Sequence, residues 1–312
     1  MQALQAPGSA ARRLFERLLE GPVPRGDAEP DEVEALRGAG VDIESTDGTL
    51  RLQGYPAYGW AAIVGGLTTD VRVEYHDSLP STNDRGRELA LEGHTDVAVV
   101  ADVQLGGRGR HDREWKSPAG GVWCSLVVRP EVAAERTPLL TFAGAVAVVE
   151  TARAIGIPAV IKWPNDVLVG PSGETAGRKL AGVLTEGGQT QRGQRWAVVG
   201  VGVNAAVDRA AIPDSATSLQ AETAEPVDRS TVAARLIDRF VALAGDSAAI
   251  LSAWRAHAAT LGQRVRVRTA QETFDGEARR VTDTGALVVW TGTRERVVTA
   301  ADCEHLRPAE SG

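Results

Sequence analysis

The apolar run Val97–Val103, VAVVADV, reads as a strand, and it opens directly into Gln104–Ser117, QLGGRGRHDREWKS. Any fold open to this chain must bury the first stretch and present the second at its edge. Gly106, Gly107 and Gly109 let backbone close around a ligand, because no Cβ blocks positive φ or close approach. Arg108, Arg110 and Arg113 supply planar, permanently charged forks that match carboxylate and phosphate oxygens. Trp115 adds a flat face for a base or ring. The same composition could serve as a solvated turn, so the rest of the chain has to decide between a turn and a small-anion site. It is no standard nucleotide loop: GxxxxGK[ST] occurs nowhere in the sequence, and Gly107-Arg108-Gly109 lacks the third glycine of GxGxxG.

A chain of 312 residues with 43% hydrophobic content can bury more than one domain's core. Its 34 basic and 41 acidic residues leave a net charge of −7, which argues against bulk binding of nucleic acid or anionic membrane. Cys124 and Cys303 form neither a disulfide framework nor a CxxC metal pattern, which fits a reducing compartment. Without a signal-peptide pattern or an apolar run near 18 residues, the expectation is a cytoplasmic chain with no membrane partner. Only Lys116, Lys162 and Lys179 are lysines, and all three fall near the Gly/Arg loop or the motifs that follow it. An ammonium is a compact point charge on a flexible stem, suited to reaching a phosphate or carboxylate.

The expected architecture is α+β in three units. Residues 1–70 read as a reduced winged-helix-like unit: helix Ala11–Glu20, helix Asp31–Arg37, and a hairpin over Val41–Leu52 turning at Asp47-Gly48. Six arginines against eleven carboxylates, and too little chain for a turn plus recognition helix, make DNA an unexpected partner there. Residues 71–261 read as a central mixed sheet with helices. Ser81 or Thr82 caps a helix over about 83–92, strands follow at 97–103 and 122–129, and Thr141–Ile155 is a buried helix. Lys162-Trp163-Pro164-Asn165-Asp166 makes a tight turn between strands, and Arg178–Glu186 is a strand carrying Lys179. Asp166 is the acid near the basic loops able to share Mg²⁺ with phosphate oxygens. The string Gly200-Val201-Gly202-Val203-Asn204-Ala205 matches GxGxxA, but no long helix follows it, so a strand ending at Asn204 is the better reading. From 262 to 312 the period switches to two, giving a small barrel.

Taken together, the motifs resemble those of the biotin protein ligases. The resemblance rests on STN at 81–83, QLGGRGR at 104–110 with Trp115, KWPND at 162–166, KLAG at 179–182 and VGVGVN at 199–204, and it runs in order from about 71 to the C-terminus. It implies a biotin/lipoate-ligase-like catalytic domain, a C-terminal SH3-like barrel, and an N-terminal unit that in bacterial members represses biotin-synthesis genes. It further implies a two-step ligase reaction using ATP and Mg²⁺. Biotin becomes biotinyl-5′-AMP and then passes to a lysine of the biotin carboxyl carrier protein or domain of acetyl-CoA carboxylase or a related carboxylase. Carried over motif by motif, Ser81, Thr82, Asn83, Gln104, Arg108, Gly109, Arg110 and Lys179 would hold biotin. Arg110, Trp115, Asn165, Lys179 and Asn204 would hold ATP and the adenylate, with Lys179, Arg110 and Arg108 catalytic and Asp166 toward Mg²⁺. A homodimer is compatible with the resemblance. A lipoate or octanoyl ligase would show RRxSGGG where GGRGR stands, a biotin-operon repressor would need a DNA-reading N-terminal helix, and an NAD-dependent dehydrogenase would need GVGVNA to open a helix.

Overall fold

The computed structural model describes residues 9–130, 133–170, 177–269, 271–299 and 301–306. The chain begins with α1 (Ser9–Glu20), β1 (Val23–Pro24), α2 (Pro30–Gly38), β2 (Asp42–Thr46) and β3 (Thr49–Gly54). The last two form the expected hairpin, turning where Asp47 and Gly48 both take positive φ, 51° and 72°. The strands pair antiparallel in the order β1-β3-β2. A single 3₁₀ turn at Arg25–Asp27 stands between β1 and α2, because Pro22, Pro24 and Gly26 leave no room for a regular helix.

After α3 (Trp60–Gly66) come β4 (Arg72–Leu79), α4 (Thr82–Leu91), β5 (Val97–Gln104), β6 (Val122–Val128), α5 (Leu139–Ala154), β7 (Ala159–Lys162), β8 (Asp166–Val169), β9 (Arg178–Gln189) and β10 (Arg195–Val203). They build a seven-stranded sheet in the order β4-β5-β6-β10-β9-β8-β7. Only β4 and β5 run parallel among these pairs, so the sheet is mixed. The apolar run of β5 follows from burial on both faces. Ala98 and Val100 belong to the main core, while Val97, Val99 and Ala101 pack with Leu89, Val127 and Val198 on the other side. Helix α5 is buried over most of its surface and sits close to the sheet: a Cβ on Gly144 would lie 3.0 Å from Val183 Cγ1. Behind it pack α7 (Arg229–Ala244) and α8 (Ser247–His257), which follow the short α6 (Leu219–Glu222). Phe142 of α5 stacks on Trp254 of α8 at 4.4 Å.

The C-terminal strands β11 (Arg264–Arg268), β12 (Thr273–Val281), β13 (Leu287–Trp290), β14 (Glu295–Val298) and β15 (Asp302–His305) form an antiparallel sheet in the order β14-β13-β12-β11-β15. Trp163 bolts it to the centre, its indole N–H donating to the Gly285 carbonyl at 3.0 Å. The main core is continuous from Phe15 and Trp60 at one end to Val265 and Cys303 at the other. Arg12 closes the N-terminal seam by donating to the carbonyls of Val71 and Thr69 at 2.9 and 2.8 Å. Among the described residues no helix is long and apolar enough to cross a membrane.

A buried ion cluster ties α4 to the sheet edge. Glu74 is only 7% exposed and accepts from Arg85 Nε at 2.6 Å, with His76 Nε2 at 2.9 Å. Burial by itself would raise this carboxyl, but hydrogen bonds and charge from His76 and Arg85 outweigh it and bring it from 4.5 to about 2. A folded value below the unfolded one gives stability that is fully present above the unfolded value and lost as pH falls through the folded one. Melting temperatures measured downward from about pH 6 should therefore drop between about 4.5 and 2. The Glu74→Gln variant should lose less over that window, and equal losses in both would remove Glu74 as the cause.

Candidate active site

At the centre of the sheet, β9 and β10 carry glycine where a side chain would fill the space above. A Cβ on Gly200 would sit 2.1 Å from Asn83 Oδ1, and one on Gly202 would sit 2.7 Å from Trp115 Nε1. Gly200 and Gly202 lie within β10, so the string that imitates a dinucleotide fingerprint is a strand forming the floor of a cavity. The cavity measures about 360 Å³, and Ser81, Thr82, Asn83, Gln104, Arg108, Gly109, Arg110, Trp115, Asn165, Asp166, Lys179 and Asn204 all line it. The candidate site residues are thus brought to one place, whereas Lys162, Trp163 and Pro164 of the same motifs do not line it.

One end of the cavity is a polar network rooted in the start of α4. Ser81 is the N-cap, its hydroxyl accepting from the Asp84 N–H at 3.4 Å. Gln104 Oε1 accepts from the backbone and hydroxyl of Thr82 at 2.8 and 3.0 Å, and its amide donates to Ser117 at 2.9 Å. Ser125 donates to Asn83 Oδ1 at 2.6 Å, and Asn83 donates to Glu186 at 2.8 Å. Buried polar groups without partners are costly, so these bonds fix each side chain. The motifs give no role to Ser117, Ser125 or Glu186. A lone serine inside VWCSLVV is the one available signal.

The Gly/Arg loop is an irregular hairpin. Gln104 bridges to Ser117 and Arg108 to Glu114, with the tip at 109–113. Gly107 is required by the close approach, since a Cβ there would lie 2.4 Å from the Trp115 carbonyl. The arginines diverge in their contacts. Arg108 grips Asp84 with both terminal nitrogens at 2.8 and 2.6 Å, and these bonds hold the Asp84 carboxyl below its ordinary range. Arg110 is directed at Asn165 Oδ1, 3.5 Å away, and donates to the Ala301 carbonyl at 3.0 Å. Burial draws Arg110 below the ordinary guanidinium value, opposed by the negative charges of Asp302 and Asp166.

Lys179 Nζ lies 2.7 Å from Asp166 Oδ1 and 4.9 Å from the centre of the Trp115 ring. Asn165, next to a cis Trp163–Pro164 bond, donates to the Val183 carbonyl at 3.0 Å, and Asn204 donates to the Thr217 carbonyl at 3.0 Å. The indole N–H of Trp115 is buried without a partner among the described residues. Asp302, from the C-terminal sheet, also lines the cavity. The sequence shows no chemistry in that sheet, and nothing in its period-two pattern marks this residue. The cavity therefore combines a hydrogen-bonding end, a rim of guanidinium groups, an ammonium and an aromatic face. Such a set can bind a polar head group and hold two anions against each other.

Residues 75–204 match the family model for the biotin/lipoate A/B protein ligase family, and residues 260–306 match the biotin protein ligase C-terminal domain. The bifunctional ligase/repressor BirA of Bacillus subtilis is 35% identical over 88% of this chain and 84% of its own length. The biotin–[acetyl-CoA-carboxylase] ligase of Paracoccus denitrificans is 34% identical over 71% of this chain and 95% of its own length. In fold, the chain is similar to the biotin protein ligase from Aquifex aeolicus in complex with biotin and ATP. That likeness has a TM-score of 0.61 at 23% identity, and covers 76% of this chain and 99% of the other. On the sequence relatives and both matched segments, the chain belongs to the biotin protein ligase family.

Proposed function

We propose that this chain activates biotin with ATP and transfers it to one lysine of a biotin carboxyl carrier protein or domain, in acetyl-CoA carboxylase or a related carboxylase. The observation that carries this reading is the convergence of residues from all five motifs on the one cavity. The polar end at Thr82, Asn83 and Gln104 suits a neutral ring carrying amide-like groups, and the arginine rim suits the carboxylate at its far end. In the first step a biotin carboxylate oxygen bonds to the α-phosphorus of ATP, and the bond to pyrophosphate breaks. Carboxylate and phosphate repel each other, so Arg110 and Lys179 lower the barrier by neutralising the charge that gathers between them. In the second step the acceptor amine attacks the carboxyl carbon of the adenylate, AMP leaves, and the amide forms.

Lys179 has three N–H donors, so it can keep Asp166 and still reach a phosphate oxygen. Among the described residues no three His, Cys, Asp or Glu side chains converge as a metal cage. Asp166 alone fits the pattern by which Mg²⁺ binds through one or two carboxylates plus substrate phosphates, and the ion would supply charge neutralisation there. We take 1–70, 71–261 and 262–312 as the three units of the chain, supported by its three separate sheets. The repressor role named for the Bacillus relative is not carried over. Helix α2, which leads into the β2–β3 hairpin, bears Asp31, Glu32 and Glu34 against a single Arg37, and this acidic balance repels phosphate.

The test is ATP–pyrophosphate exchange with Mg²⁺, run with biotin, with lipoate and with no acid. Exchange is expected with biotin only. Exchange with lipoate would show the head-group end to be misassigned, and none with biotin would refute the reading.

A further inference from the structure

Asp302 opens β15, nearly two hundred positions along the chain from the Gly/Arg loop, yet the fold sets the two together. Arg113 Nη2 donates to Asp302 Oδ2, and His111 Nε2 lies 3.7 Å from Asp302 Oδ1. One residue earlier, the Ala301 carbonyl accepts from Arg110. The tip that these contacts grip is bent. His111 holds φ 56° and ψ 38°, the left-handed region that a residue with a Cβ enters only at a cost. The Gly109 N–H closes the turn on the Arg113 carbonyl at 2.7 Å. A bend of this kind persists when contacts from outside the loop over-determine it. At the base of the loop that outside contact is Asp84. At its tip the contacts to His111 and Arg113 are made by Asp302.

We propose that Asp302 is a positioning residue: from the C-terminal sheet it clamps the Gly/Arg loop over the cavity, so that this sheet governs how tightly nucleotide and acyl-adenylate are retained. What is retained rests on the ligase reading above, while the clamp itself does not. Burial raises the Asp302 carboxyl, but the Arg113 hydrogen bond, with the charges of Arg113, His111 and Arg110, brings it below its ordinary value, so the clamp is charged at neutral pH. The device is modest in strength, because Arg113 is largely exposed and a part-exposed ion pair is screened by water.

Limited trypsin digestion of the full chain without ligand reads the loop directly. The Asp302→Asn variant should be cut after Arg110 about fivefold faster than the parent, the scale expected for a part-exposed pair. Asp302→Glu, which keeps the carboxylate, should return toward the parental rate. Arg113→Gln, which breaks the pair from the loop side, should accelerate cleavage after Arg110 in the same way. In pyrophosphate exchange, Asp302→Asn should raise the KM for ATP by a similar factor and leave kcat within about twofold. Parental cleavage rates in both Asp302→Asn and Arg113→Gln would overturn the clamp, as would a fall in kcat with KM unchanged. A parent protein inactive in exchange would refute the ligase reading, and the cleavage comparison would still judge the clamp.

Discussion

Replacing Lys179 with alanine should slow adenylate formation about 100-fold or more, the usual cost of removing a charge aimed at a transition state. The expectation comes from position. Lys179 stands on β9 and lines the same cavity as Arg110, with Nζ anchored 2.7 Å from Asp166 and poised over the Trp115 ring. Only a group whose interaction strengthens as the phosphorus becomes five-coordinate can lower that barrier. The side chain is partly exposed and its neighbours can hydrate, so the melting temperature should stay close to that of the parent. Single-turnover formation of biotinyl-5′-AMP separates this from binding. A near-parental rate would remove Lys179 from the chemistry and leave it as a partner for Asp166.

The second large effect is expected at Gly200. A methyl group there would meet Asn83 Oδ1 at 2.1 Å, a distance no contact tolerates. Asn83 would have to leave the bonds it shares with Ser125 and Glu186, and the wall of the polar end would collapse. Gly200→Ala should weaken biotin binding about 100-fold and cost about 1–3 kcal/mol of stability, the range for overpacking a filled interior. Isothermal titration with biotin and a thermal melt measure the two parts. Gly182→Ala is the internal comparison. Its nearest neighbours lie at 3.4 Å and include the flexible stem of Lys179, so a milder loss is expected. Unchanged biotin affinity in Gly200→Ala would show that Asn83 does not shape the head-group end.

Much of this site is legible in the amino-acid sequence because its chemistry constrains residue type more than surroundings do. Glycine must stand where backbone or ligand comes close, and of the three rare lysines Lys116 and Lys179 line the cavity while Lys162 does not. The hairpin at Asp47-Gly48 is legible for a local reason, since both residues tolerate positive φ. Helix ends are less so: α4 and α5 each begin a residue or two ahead of the expected start, because capping and packing rather than periodicity set their limits. Asp84 lies beside a recognised motif, but its bond to Arg108 crosses 24 positions and needs the fold to be seen. Asp302 is invisible to pattern reading. Nothing local distinguishes it from the other acids of an alternating strand, and only the meeting of two distant segments gives it a partner.

The unbroken apolar interior has a consequence for the N-terminal unit. Its helix α2 is acidic, while Phe15, Trp60 and Ile63 are almost wholly shielded from solvent, and Arg12 donates to carbonyls just ahead of β4. Its helix α3 packs on α7, where a Cβ on Gly66 would lie 3.1 Å from Ala234 Cβ, so excising the unit would uncover that part of α7. The unit is thus a buttress for the helices behind the sheet, and its worth to the chain can be counted in what it shelters.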